Sequence, residues 1–208
     1  MDKPADTRYP IHDLLRTRWS PRVFSEQHVE ADTLRSLWEA ARWSPSSANE
    51  QPWCFIVATK DNPAEFGRLF GCLLEGNQRW TFRAPVLLLS VARLRFEDEG
   101  TPNRHAFHDV GLATENLIIQ ATALGLFVHP MAGFDVEKAR QEYHIPEGHD
   151  PVAMMAIGYA GDPSLLPDDL REREFRPRRR KSIEEFVFAG SWGQASPLAR
   201  PSGEKTLE

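Results

Sequence analysis

Cysteine occurs only twice in the 208 residues, at Cys54 and Cys72, and neither belongs to a Cys-x-x-Cys pair or a Cys/His cluster. That excludes a disulfide-stapled miniprotein; both thiols, set among apolar neighbours, read as small core residues of a reducing compartment. No apolar run approaches the roughly 20 residues of a membrane-spanning helix, the longest being Pro85 to Ala92. The first residues, MDKPADTRYP, lack the apolar stretch of a secretory signal, so a cytoplasmic protein with no membrane partner is expected. A G-x-G-x-x-G turn after a strand is missing, as is a G-x-S-x-G elbow, which disfavours a Rossmann domain and a serine hydrolase.

What is present is the composition of one globular domain: 41% hydrophobic, 26% charged and 10% aromatic residues. A chain of this mass buries roughly 70% of its extended surface on folding, enough for a sizeable core. The formal charge of −5 is uneven, because Arg171 to Lys181 carries seven basic and two acidic residues. That basic island suits an anion site, with nucleic acid as the competing partner; the acidic remainder and the lack of aromatics between the arginines of the run Arg176 to Lys181 count against nucleic acid.

Helical spacing predicts a short helix at Ile11, Leu14 and Leu15 running into Arg18, and a second at Leu34, Leu37, Trp38 and Ala41 that stops before Pro45. A third, from near Pro63, follows Phe66, Leu69, Phe70, Leu73 and Leu74 and closes at Gly76. The longest spans His105 to Leu124 and stops at Gly125, and a short one lies around Asp135 to Tyr143. Trp53 to Thr59 reads as a buried strand, Pro85 to Ala92 as a central one, and Leu126 to Met131 and Val152 to Ala160 as two more. The order lacks regular βαβ alternation, so the fold class is α+β. Residues 1–188 are expected to form the single domain, and 189–208 a C-terminal arm or flexible tail.

Five clusters can carry chemistry. Arg18-Trp19-Ser20-Pro21-Arg22 sets two guanidinium forks around a hydroxyl, suited to an anion. Pro45-Ser46-Ser47-Ala48-Asn49-Glu50-Gln51-Pro52-Trp53 is a stiff polar loop before a strand; a structural turn explains its Pro, Ser and Asn, but not why Asn49 and Gln51 are set so close before the strand. Asn77-Gln78-Arg79-Trp80 precedes the apolar strand, and Pro130-Met131-Ala132-Gly133-Phe134-Asp135 ends a strand in small residues that let main-chain N–H groups approach a flat ligand. In the basic island, Arg178 and Arg180 face the same way if the segment is extended. His105 and His108, and His144 and His149, lack a third and fourth ligand at defensible spacing, so no metal site is expected.

In order and spacing, from about Arg8 to Val187, these clusters resemble the FMN-dependent nitroreductase family. The resemblance implies a mostly antiparallel sheet flanked by helices, and an interlocked homodimer with FMN at its interface. It implies that Arg18 and Ser20, with Arg178 and Arg180, hold the phosphate and ribityl chain, that Arg22 lies at the N1/O2 edge of the flavin, and that Asn77 meets its pyrimidine edge. Trp19, Pro45 and Met131 accompany them, Ser46, Ser47 and Asn49 come from the other subunit, and the main chain at Ala132 and Gly133 approaches N5. Many relatives have a cation where this chain has Trp80, which leaves either less positive charge beside the flavin or an aromatic pocket wall. The implied activity is ping-pong, two-electron reduction of nitroaromatics, quinones or similar small-molecule acceptors by NAD(P)H, with no obligatory protein acid or base. Dehalogenation, enal reduction and flavin fragmentation are alternative chemistries on the same fold, and a non-catalytic anion-binding or nucleic-acid-binding protein is an alternative of another class.

Overall fold

The computed structural model describes residues 2–200. It divides into two compact units, Met1–Arg176 and Pro177–Glu208.

The first unit is built on one four-stranded sheet of order β1-β2-β4-β3, antiparallel throughout: β1 Trp53–Thr59, β2 Val86–Arg93, β3 Phe127–Met131 and β4 His149–Gly158. The apolar run at Pro85 to Ala92 is the inner strand β2 it was expected to be. Its side chains alternate between two cores, as the twofold period of a strand requires. Leu87, Leu89 and Val91 join Met154, Ala156 and Phe24 on one face. Val86 and Leu88 join Met155, Ile157 and Leu117 on the other. By contrast β1 is an edge strand with only Ala58 buried, because one of its sides lacks a neighbouring strand. The expectation of a buried strand there is corrected, and with it that of Cys54 as a core residue: Cys54 is exposed on this edge, whereas Cys72 is buried as expected.

Helices α2 (Ala31–Arg42) and α5 (Ala106–Ala123) cover the Leu88 face, tied by Gln120 Nε2 donating to Ser36 Oγ at 2.9 Å. Both fall where the apolar spacing placed them, and α2 stops short of Pro45. The short α1 (Asp13–Thr17) buries none of its residues.

The stripe from Phe66 to Leu74 does not form one helix. α3 (Pro63–Phe70) starts on the Asn62 side chain and ends at Gly71, and a separate α4 (Glu75–Thr81) has Gly76 in its interior. The cause is a tertiary pairing. Leu74 N donates to the Gly133 carbonyl at 3.1 Å and Asp135 N to the Cys72 carbonyl at 2.8 Å, so residues 72–74 leave the helix to run beside 133–135. α4 is thereby launched against the end of β3. α6 (Val136–Glu142), capped by Asp135, and α7 (Asp168–Phe175) complete the unit.

The second unit holds a 3-10 turn at Ile183–Glu185, where Ser182 and Glu185 form a reciprocal cap, and a turn closed by pairing of Phe188 with Ala195. Within it Trp192 stands edge-on to Phe188 at 5.3 Å. Of the segment expected to be an arm or tail, 201–208 lie outside the described residues.

Candidate functional site

Arg18 follows the last residue of α1, and its Nη1 donates to Ser20 Oγ at 3.2 Å. Trp19 turns inward, 6% exposed, with its ring edge-on to Phe127 at 5.9 Å. The next residues are held from two sides. The Pro21 carbonyl lies 2.7 Å from His129 Nδ1 of β3; a carbonyl only accepts, so that nitrogen carries the proton. The Arg22 main-chain N–H donates to Glu174 Oε1 of α7 at 2.8 Å, and its Nη1 lies 3.7 Å from Oε2. Arg22 itself stays about a third open to solvent.

His129 is the electrostatic centre of this arrangement. Burial pushes its imidazole down to about 4; the Pro21 carbonyl opposes the shift, and the charges of Arg22 and Arg18 add to it. A neutral ring therefore braces a loop that carries two cations. Its other face rests on Trp80, with ring centroids 4.5 Å apart and tilted by 39°. Trp80 is 2% exposed and also stacks on Phe24, so at the position where relatives have a cation this chain has a buried prop.

Asn77, in the first turns of α4, donates through Nδ2 to the Gly133 carbonyl at 2.9 Å. The main chain there is so close that a Cβ on Gly133 would lie 2.7 Å from the same Nδ2. Ala132 is exposed and Gly133 half-buried, whereas Met131 is buried with its sulfur accepting from Thr81 Oγ1 at 3.6 Å. Three of the expected clusters are thus joined: the 18–22 loop to β3 and α4 through His129 and Trp80, and α4 to the 131–133 turn through Asn77.

The loop holding Pro45, Ser46, Ser47 and Asn49 is anchored elsewhere, on α5, where the buried Asp109 accepts from Ser47 N at 3.0 Å. Ala48, Asn49 and Gln51 all have positive φ, at 53°, 57° and 51°. Gln51 N donates to Ser46 Oγ at 2.9 Å and its side-chain amide to the Asn49 carbonyl at 3.0 Å. The close placement of Asn49 and Gln51 thus has a structural cause, and three non-glycine residues in the left-handed region are a concentration of strain of the kind found at ligand-binding sites.

Arg178 and Arg180 belong to the second unit, Arg178 half-buried and Arg180 exposed with Nη1 on the Arg179 carbonyl at 2.8 Å. His129, Glu174 and Asp109 were not singled out as site residues from sequence. Asp109 stands beside His108, where the eye goes to metal ligation; nothing local marks the other two. Among the described residues no group of three or more His, Cys, Asp or Glu side chains could hold a metal, and no helix is long and apolar enough to cross a membrane.

The family model for the nitroreductase family matches residues 15–77 and 71–159, which take in the end of α1, the 18–22 loop, Asn77 and Gly133. The chain belongs to the nitroreductase family. A solved structure described as an oxidoreductase containing FMN superposes on this nitroreductase-family chain with a TM-score of 0.85 at 36% identity, over 90% of this chain and 95% of its own. A Streptomyces coelicolor protein, named as a candidate NADH dehydrogenase/NAD(P)H nitroreductase, is 30% identical over 182 residues, 78% of this chain and 88% of its own length. A nitroreductase family protein from Streptococcus pneumoniae shares the fold, with a TM-score of 0.67 at 19% identity over 85% of this chain and 98% of its own. The α+β reading, with a sheet of antiparallel strands flanked by helices, is borne out by these matches and by the strand pairing.

Proposed function

We propose that the chain is an FMN-dependent oxidoreductase that uses NAD(P)H to reduce nitroaromatics, quinones or similar electron-poor small molecules by a ping-pong, two-electron mechanism. The observation that carries this is the convergence of the Arg18–Arg22 loop, Asn77 and the Gly133 main chain on one another, in a chain 36% identical to a relative described as containing FMN.

The donors present suit FMN. Arg18 and Ser20 offer a charged fork and a hydroxyl to a phosphate. Arg22, partly open, supplies positive charge at the N1/O2 edge, where reduction accumulates negative charge. Asn77 spends one N–H on Gly133 and keeps its carboxamide oxygen and second N–H for the pyrimidine edge. The absence of a side chain at Gly133 keeps that approach clear. Trp19 and Met131 are buried, so they contribute through the main chain. When bound, FMN supplies the two-electron transfer that no side chain here provides.

We further propose that residues 1–188 act as one FMN-binding domain, in a cytoplasmic homodimer, with Pro45, Ser46, Ser47 and Asn49 contributed across the subunit interface. Large apolar side chains left open on the first unit, Trp43 at 73%, Phe107 at 48% and Leu124 at 42% exposure, are available to such an interface. Two free cysteines fit a reducing compartment.

The purified protein is expected to be yellow or to take up added FMN, and then to consume NADH or NADPH when a nitroaromatic or quinone is supplied. A colourless preparation that ignores added FMN sinks the reading. Gly133→Ala probes the site directly. The added methyl displaces the Asn77 carboxamide, a flexible neighbour, so the fold should lose only about 1 kcal/mol while FMN affinity falls about tenfold, equivalent to about 1.4 kcal/mol. Fluorescence titration of FMN beside a thermal melt measures both, and unchanged affinity would remove Asn77 and Gly133 from the site.

A further inference from the structure

α7 carries four acidic residues, and three of them meet partners at the surface: Asp168 with Arg171, Asp169 with Arg79, and Glu172 with Arg176. Glu174 differs in being 1% exposed, on the side of the helix where Leu170 is buried. A carboxylate taken out of water needs compensation, and the largest share of it here comes from Arg22. Oε1 accepts the Arg22 main-chain N–H; Oε2 has no hydrogen-bond partner among the described residues and faces the Arg22 guanidinium at 3.7 Å. The other cation nearby, Lys3, donates to the Glu174 main-chain carbonyl. Burial raises the Glu174 carboxyl above its ordinary value, and the N–H of Arg22, its guanidinium, Lys3 and the main-chain N–H of Val23 draw it back.

The consequence is that the 18–22 loop is held at three consecutive residues, Ser20 by Arg18, Pro21 by His129 and Arg22 by Glu174. Of these only the last is an ion pair with an arginine that remains partly open. A buried anion on one side of a guanidinium weakens the positive field the guanidinium projects on the other side.

We infer that Glu174 is a positioning residue for Arg22: it fixes the arginine through its main chain, partly neutralises its guanidinium, and so sets how strongly Arg22 favours the reduced, more negative state of FMN. The inference rests on the flavoprotein reading above. A purely structural carboxylate would hold the loop without affecting the flavin's preference between redox states.

The test compares wild type, Glu174→Gln, Arg22→Gln and the double variant, each loaded with FMN, by the midpoint potential of the bound flavin. Glu174→Gln keeps an acceptor for the Arg22 N–H and removes the charge. It is expected to raise the midpoint by about 30 mV, a tenfold shift in the ratio of reduced to oxidised FMN affinity for a two-electron couple. The same change in the Arg22→Gln background is expected to shift that ratio less than twofold. An unmoved midpoint in Glu174→Gln, or an equal shift in both backgrounds, overturns the inference. If Glu174→Gln does not fold, the melting points of the Arg22→Gln proteins decide: the double variant should melt higher than Arg22→Gln alone, which leaves a buried carboxylate unpaired, and equal or lower melting overturns the pairing. Wild type that takes up no FMN overturns the flavoprotein reading and this inference together, whereas FMN uptake with an unmoved midpoint overturns the inference alone.

Discussion

Acidification from about pH 6.5 to about pH 4 is expected to strip as much as about 3 kcal/mol of folding stability through His129 alone. Its imidazole titrates at about 4 in the folded protein against the ordinary 6.5, because burial and the two arginines of the 18–22 loop disfavour the imidazolium. Between those values the unfolded chain binds the proton and the folded chain does not. The contribution is therefore fully present above pH 6.5 and is lost as pH falls through the window. The raised carboxyls of Glu115 and Glu174 act in the opposite sense, favouring the folded state as they protonate, so the slope of stability with pH does not isolate the histidine. A variant does. His129→Gln loses the ring packed against Trp80 and should be less stable at pH 7.5, but its stability should fall less steeply below pH 6.5 than that of wild type. Urea denaturation at pH 7.5, 6.5, 5.5 and 4.5 measures both curves, and parallel loss in the two proteins would show that His129 carries no such burden.

Leu88→Ala is the second large effect, expected to cost about 2–5 kcal/mol. Leu88 is fully buried in β2, opposite Val57 on one side and Met155 on the other, under α2 and α5. A strand enclosed on both faces cannot collapse onto a cavity without moving its ladder, which places the expected cost towards the upper part of that range. Leu15→Ala on α1, where the side chain is 44% exposed, is the matched control, expected within about 0.5 kcal/mol of wild type. Comparable losses in both variants would contradict the assignment of the core.

The same strand shows what could be read from sequence. Eight nearly unbroken apolar residues admit few explanations, and the inner position of β2 follows from them. α2 and α5 were equally legible, because their apolar spacing agrees with what tertiary packing demands. The stripe from Phe66 to Leu74 misled for the converse reason: its local period is helical, yet residues 72–74 pair with 133–135, some 60 positions away. β1 has the residue types of a core strand, and only the strand order reveals that it lies at an edge. At the site, Arg18, Ser20, Arg22, Asn77 and Gly133 stand in compact clusters that sequence displays. Their supports do not, since a lone His129 in a strand and Glu174 in a charge-rich helix gain meaning only from the Pro21 carbonyl and the Arg22 N–H that the fold brings to them. Trp80 could be seen to depart from the family pattern, but not to face the core.

The left-handed residues of the 45–51 loop bear on how this chain tolerates change. Glycine is the residue that adopts positive φ at no steric cost, while β-branched side chains resist it most. In a library randomised at Ala48, Asn49 and Gln51 and selected only for soluble, folded protein, glycine should therefore become enriched at all three positions and valine, isoleucine and threonine depleted. Any of the three that keeps its present residue under selection for activity instead reveals that the side chain, and not the turn, is what the enzyme retains there.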